Sequence, residues 1–207
     1  MQRVYIVDDE ATIREALEGL LRSHGMSVVT FSSAHDYLGY ERNDTAACLI
    51  LDLQLPGISG LELQERLLNE LCPPIIFISG RGDIPSTVQA MKAGAIEFLT
   101  KPVDPEILLP AVRSAFARDL SNREQRAEMT DLQKRFAQLS RREKEVLPLV
   151  VRGLLNKQSA AALGITEVTL QIHRSQIMKK TAAASFADLV RMASKLGIPV
   201  DPKGPQG

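Results

Sequence analysis

The chain has 207 residues, of which 44% are hydrophobic, 24% charged and 4% aromatic, a length that suits one large or two small domains, each able to bury a core. No run of about 18 apolar residues occurs, which excludes a transmembrane helix, and the start Met1-Gln2-Arg3-Val4-Tyr5 gives no expectation of a signal peptide. The formal net charge of zero conceals a split: residues 1–118 hold 16 acidic and 10 basic side chains, residues 119–207 hold 9 and 15, the pattern of an acidic domain joined to one that meets a polyanion.

The first 105 residues alternate strand-like and helix-like segments. Val4-Tyr5-Ile6-Val7 is a β-rich run ending at Asp8-Asp9, and Ile13, Ala16, Leu17, Leu20 and Leu21 follow at helical spacing up to Gly25. Ser27–Phe31 reads as a second strand, and Ser33 with Asp36 starts a second helix in the manner of a capping box. Cys48-Leu49-Ile50-Leu51 is apolar without alternation, as expected of a central parallel strand covered on both faces, and it ends at Asp52. A third helix follows Ser59, Ile75–Ile78 is a fourth strand, a fourth helix follows Asp83 and stops at Gly94, and Phe98-Leu99-Thr100 is a fifth strand before Lys101-Pro102. Five β-α units predict a doubly wound α/β domain. Cys48 and Cys72 are too few for a disulfide scaffold and read as small buried apolar residues in a reducing cytoplasm.

A long helical tract runs from about Asp104 to Leu139. Pro110, inside it, predicts a kink or a late helix start. Met129, Leu132, Phe136 and Leu139 form a short heptad-like seam that serves either a dimer or the next domain. From Ser140 the pattern is all helix. Ser140 and Glu143 form a capping box, Pro148 conflicts with the helix they start, and Gly153 stops it. Asn156–Leu163 is a short helix, Gly164-Ile165 a turn, and Thr166 caps a helix to about Lys180. Ser185 and Asp188 cap a last helix bearing Phe186, Leu189, Val190 and Ala193, and 201–207 is a Pro/Gly-rich tail expected to be disordered.

In an open parallel sheet, ligand groups gather at the carboxyl ends of the strands. Asp8 and Asp9, Asp52, Ser79 and Lys101 each directly follow an apolar run and fall at those ends. Clustered carboxylates repel and need a cation. Oxygen ligands with room for water and a phosphate suit Mg²⁺. With Lys101 as a point charge and Ser79 as a hydroxyl donor, the set suits a carboxylate nucleophile that receives a phosphoryl group.

Asp8-Asp9, Leu51-Asp52 with Leu55-Pro56-Gly57, Ser79, and Phe98-Leu99-Thr100-Lys101-Pro102 resemble the receiver domain of CheY-like response regulators over residues 1–118. The resemblance implies a sheet of order 2-1-3-4-5 and phosphorylation of Asp52 by a partner sensor histidine kinase. It implies Mg²⁺ on Asp9, Asp52 and the backbone carbonyl of Gln54, with Asp8 acting through water. Ser79 and Phe98 become a switch pair, and a cis Lys101-Pro102 bond is compatible with the proline.

In the second half, Lys157, Arg174, Lys179 and Lys180 decorate a helix-turn-helix whose second helix can enter a DNA major groove, with N–H groups at Thr166 open to a phosphate. Leu139–Leu147, Gly153, Asn156-Lys157, Leu163–Thr166 and Thr169–Arg174 resemble the LuxR-type helix-turn-helix, and the whole chain is similar to FixJ/NarL-type transcription factors, nearer FixJ. This implies a helical linker over 119–138 and an all-α DNA-binding domain over 139–200. Lys157, Thr169, Gln171, Ile172, Arg174, Ser175 and Lys179 become the residues facing double-stranded DNA. RNA polymerase and a second copy of the chain are the implied partners, the latter through surfaces near Met91 and Leu189. Gln171 stands where the family usually has lysine, Ser159 where it has a large apolar residue, and Thr181 where it has leucine. The expectation is a cytoplasmic, phosphorylation-switched regulator rather than an enzyme. A haloacid-dehalogenase-type hydrolase, with Asp-x-Asp after its first strand, is the competing class; here that strand ends Asp8-Asp9-Glu10. A receiver signalling without phosphate is opposed by Asp52, Ser79 and Lys101.

Overall fold

The computed structural model describes residues 2–42, 45–67, 72–80 and 84–200. The Asp83 cap and the disordered tail expected over 201–207 lie outside the described residues. In chain order the elements are β1 (Arg3–Val7), α1 (Ala11–Ser23), β2 (Ser27–Phe31), α2 (Ala34–Leu38), β3 (Ala47–Asp52), α3 (Gly60–Leu67), β4 (Ile75–Ser79), α4 (Ile84–Lys92), β5 (Glu97–Thr100), α5 (Pro105–Ala137), α6 (Arg141–Val151), α7 (Asn156–Leu163), α8 (Glu167–Thr181) and α9 (Phe186–Lys195). Two compact units divide between Arg123 and Glu124.

In the first unit the strands form one parallel sheet of order β2-β1-β3-β4-β5. Val7 lies beside Phe31 and Leu51, Asp52 beside Ile78, and Ser79 beside Thr100. The five strands therefore end within about two residues of one another along one edge, and the polar residues that close or follow the apolar runs meet there. Strand alternation separates two cores. Tyr5, Val7, Leu49, Leu51, Ile75 and Phe77 face Tyr37 of α2, Leu63 and Leu67 of α3 and Ala90 of α4. Val4, Ile6, Cys48, Ile50, Ile76 and Ile78 face Leu17 and Leu21 of α1 and Leu108, Val112 and Phe116 of α5. Coverage on both faces explains why the central strands read as unbroken apolar runs. Cys48 is fully buried and Cys72 half-buried.

Away from the strand ends, a buried charge interrupts the apolar side of α5. Asp119 on α5 is 1% exposed. Its Oδ2 accepts the N–H of Ala47, the first residue of β3, at 2.9 Å, and the Arg123 Nε–H at 2.6 Å.

Neither interior proline shortens its helix. α5 starts at Pro105 and runs through Pro110, so the late start does not occur. Asp104 fixes the early start: its carbonyl accepts from Ile107 and Leu108 at 3.1 and 2.9 Å, and its carboxylate from Glu106 N–H at 2.9 Å. Pro105 at the first position sacrifices no intrahelical bond. Pro110 and Glu106 are exposed, as is Lys144, four residues before Pro148 in α6, so water can reach the carbonyls that lose a partner.

The second unit encloses its own core, which includes Phe136, Leu139, Val146, Leu147, Val150, Leu170, Ile177 and Leu189. Leu132 is buried as well. The later half of the heptad-like seam, Phe136 and Leu139, thus serves the domain that follows it. Leu189, expected near a dimer surface, is 1% exposed and belongs to this core, because it lies on the apolar side of α9. The Ser140–Glu143 capping box forms as the sequence predicts, with Ser140 N–H donating to Glu143 at 2.7 Å and Glu143 N–H to Ser140 Oγ at 3.3 Å.

Candidate functional site

The first candidate site lies at these strand ends. Asp8 leaves β1, Asp52 closes β3, Ser79 closes β4, and Lys101 follows β5 and precedes Pro102 by a cis bond. Lys101 Nζ lies 2.8 Å from Asp8 Oδ2, 2.9 Å from Glu10 Oε1 and 2.8 Å from Asp52 Oδ2. Asp52 Oδ1 accepts the Gln54 N–H at 3.0 Å, so both carboxylate oxygens are held and its plane is fixed. Asp8 Oδ1 accepts the Glu10 N–H at 2.8 Å; its buried Oδ2 receives no aligned hydrogen bond and has only the ion pair to Lys101. The Lys101 N–H donates to the Ser79 carbonyl at 2.8 Å, which ties β4 to the residue carrying the ammonium.

The electrostatics follow from burial. Desolvation raises the Asp8 carboxyl above the usual carboxylate range, although Lys101 pulls the other way. Burial works to lower the Lys101 pKa, but the carboxylates of Asp52, Asp8 and Glu10 around the ammonium outweigh it and hold it above its ordinary value. One oxygen each of Asp8, Glu10 and Asp52 lies within 4.8 Å of the others. An all-oxygen set containing a buried oxygen without a hydrogen bond fits a hard divalent cation. Glu10 is the member that sequence reasoning missed; its signal was the third consecutive acid after β1. Asp9 is exposed and stands outside this group. Phe98 is half-buried and stacks on Phe77, ring centroids 6.2 Å apart at 26°.

Gly60 sets how closely α3 approaches this edge. Its N–H donates to the Leu53 carbonyl at 3.0 Å, and a Cβ there would stand 2.3 Å from the Asp52 carbonyl oxygen.

The second candidate site is the α7–turn–α8 pair. Gly164 ends α7 at φ +64°, a conformation that glycine adopts without penalty. Thr166 Oγ1 caps α8 by accepting the Thr169 N–H at 3.1 Å, and the two threonine hydroxyls lie 2.9 Å apart. Val168, Gln171, Ile172, Ser175 and Lys179 recur at offsets of 3, 4, 7 and 11 and share one exposed face, with Lys157 exposed on α7. Two of the expected DNA-facing residues make contacts within the domain. Thr169 is half-buried in the cap, and Arg174 donates to Asn156 Oδ1 at 2.8 Å and lies over the Phe186 ring at 5.6 Å. Lys180 also turns inward, 2.7 Å from Glu143. Val168 is the exposed member of this face that sequence reasoning missed.

Comparison with known proteins agrees with this geometry. The response regulator receiver domain family matches residues 4–113, and the bacterial regulatory proteins of the luxR family match residues 137–193. Nodulation protein W of Bradyrhizobium diazoefficiens is 47% identical over 196 residues, 94% of this chain and 86% of that protein. Transcriptional regulatory protein FixJ of Azorhizobium caulinodans is 39% identical over 204 residues, 98% and 97% of the two chains. The solved structure of response regulator StyR is 46% identical with a TM-score of 0.81, covering 94% of this chain and 98% of that one. These matches favour the regulator over the hydrolase alternative. Their order along the sequence, receiver first and helix-turn-helix second, makes the chain a member of the FixJ-like family of two-component response regulators.

Proposed function

We propose that Asp52 accepts a phosphoryl group from a sensor histidine kinase and that this switches sequence-specific binding of double-stranded DNA by α8. On this reading residues 1–118 receive the signal, 119–138 link, and 139–200 bind DNA in the cytoplasm. The observation that carries it is the buried Asp52 carboxylate, held in plane by the Gln54 N–H and by Lys101 at the strand ends. Asp52 attacks phosphorus, an aspartyl O–P bond forms, and the P–N bond to the donor histidine breaks with the electron pair and a proton passing to the imidazole. Lys101 then moves its ammonium from carboxylate to phosphoryl oxygen, and Ser79 offers its hydroxyl to another. A Mg²⁺ ion, when bound, neutralises charge on the transferring oxygens; Asp8 and Asp52, with Glu10, Asp9 or the Gln54 carbonyl, would hold it. Phe98, stacked on Phe77 beside β4, is the group that a displaced Ser79 would release. RNA polymerase and a second copy of the chain complete the proposal, the copy meeting α4 near the exposed Met91.

The test is intact mass after treatment with acetyl phosphate and Mg²⁺. Wild type gains one phosphoryl group and binds DNA more tightly. Asp52→Asn gains none, keeps its circular dichroism spectrum and shows no stimulation. Unchanged incorporation in the variant refutes the site.

A further inference from the structure

The geometry points to Val168 as a specificity-determining residue that reads a thymine methyl in the major groove. This rests on the reading of α8 as the DNA-reading helix and adds a residue and a base to it.

The argument starts from which side chains remain available. Thr169 and Arg174 are two polar members of the set that the resemblance turns toward DNA. The Thr169 N–H and hydroxyl are both taken up by the Thr166 cap. The Arg174 guanidinium is pinned between Asn156 and Phe186. The exposed face keeps one amide, Gln171, one hydroxyl, Ser175, one ammonium, Lys179, and two large apolar side chains. Val168 is 67% exposed and Ile172 57%.

Val168 and Ile172 are one helical turn apart with Gln171 between them in sequence, so the three form one contiguous patch. Exposed single apolar residues are ordinary. This pair, however, lies on the face whose ends carry Lys179 on α8 and whose partner helix carries Lys157, and neither lysine has an ion pair among the described residues. Val168 is the second residue of α8. The N-terminal residues of a recognition helix meet base edges, and side chains on a helix lean toward its N-terminus, which carries the Val168 methyls outward over that end.

The only apolar feature in the major groove is the thymine C5-methyl, and apolar side chains recognise it by contact. Gln171 supplies the complementary polar reading, bidentate to adenine N7 and N6. The combined patch reads adjacent A·T pairs, with the adenine on Gln171 and a thymine methyl against Val168.

The experiment uses the full-length chain with acetyl phosphate and Mg²⁺. A random-sequence duplex library is selected for binding, and each thymine of the selected duplex is then replaced by deoxyuridine, which removes the methyl and leaves every hydrogen-bonding group. At one thymine, wild type is expected to bind about fourfold more weakly, the ratio that corresponds to burying one such carbon. Val168→Ala is expected to bind the thymine duplex several-fold more weakly and to be indifferent to deoxyuridine at that same position, while Ile172→Ala remains sensitive there. Alanine is a better helix former than valine, so an unchanged circular dichroism spectrum accompanies the loss. Wild type insensitive at every thymine, or Val168→Ala carrying the full deoxyuridine penalty at every position, overturns the inference. If Gln171→Ala and Ile172→Ala weaken binding while Val168→Ala does not, this inference alone fails. If none of the three alters binding, or the library yields no consensus, the reading of α8 fails with it.

Discussion

Replacing Gly60 by alanine tests how tightly α3 is seated on the phosphoryl-transfer edge. The new methyl carbon would stand 2.3 Å from the Asp52 carbonyl oxygen, 3.0 Å from Leu53 Cα and 3.0 Å from Phe77 Cε1. Ordinary contacts begin near about 3.5 Å, so the start of α3 must retreat by roughly 1 Å. Two of the three obstacles are backbone and cannot turn aside. The retreat also stretches the 3.0 Å bond from Gly60 N–H to the Leu53 carbonyl. Overpacking of this kind costs about 1–3 kcal/mol, and a lost backbone hydrogen bond adds about 1 kcal/mol. For a unit of this size the melting midpoint is expected to fall by on the order of 10 °C. Calorimetry of the full-length chain measures it, with acetyl phosphate incorporation as the second readout, since the displaced atoms adjoin Asp52. Gly19 supplies the control: it lies in α1 with open space where a Cβ would point. There the same substitution is expected to stabilise by about 0.5–1 kcal/mol, through helix propensity alone. A Gly60→Ala protein that melts with wild type, or two substitutions that move the midpoint in the same direction, would refute the reasoning.

Other outcomes follow from single contacts. Ser159 is fully buried on α7 and its hydroxyl has no hydrogen-bond partner among the described residues; Ser159→Ala removes that group and is expected to raise stability by about 1 kcal/mol in urea unfolding, a fall in the midpoint counting against it. For Glu143, burial works to raise the carboxyl pKa, but the Lys180 hydrogen bond and the Ser140 cap prevail and hold it below the ordinary 4.5. Its contribution is therefore complete above 4.5 and lost as pH falls through the lowered value. Urea midpoints between about pH 5 and 3 are expected to fall more steeply for wild type than for Glu143→Gln; parallel curves would sink that assignment. Gln171→Lys is expected to shift preference at one operator position by about 1–3 kcal/mol. Uniformly tighter binding with a salt slope steeper by about one ion would instead mean that position 171 faces phosphate.

The strand-end residues were legible because each polar group interrupts an apolar run that burial on both faces had made continuous. Caps were legible for a similar reason, since Ser33, Ser140, Thr166 and Ser185 each precede the helix whose N–H groups they satisfy. What escaped depends on contacts distant in sequence or on competition for one side chain. Glu10 joins Asp8 and Asp52 only because Lys101, 91 residues away, draws it in. Nothing near Asp119 in sequence announces that it accepts from Ala47, 72 residues earlier. Arg174 meets Asn156, 18 residues before it, and the Phe186 ring, and local spacing announces neither contact. The late helix start that Pro110 allows does not occur, since α5 already begins at Pro105 and the carbonyl of Glu106 belongs to an exposed residue.

Asp119 also decides where the receiver can be cut from the rest of the chain. Ending it after residue 118, where the sequence motifs stop, removes the carboxylate that accepts the first N–H of β3 and takes away that donor's acceptor. Ending it after Asp119 restores the acceptor but discards Arg123, so the carboxylate remains buried without the guanidinium beside it. An excised receiver that runs through Arg123 retains the donor, the acceptor and the counter-charge together. Four to five residues at the end of one helix thus separate a receiver fragment that keeps the base of its central strand paired from one that does not.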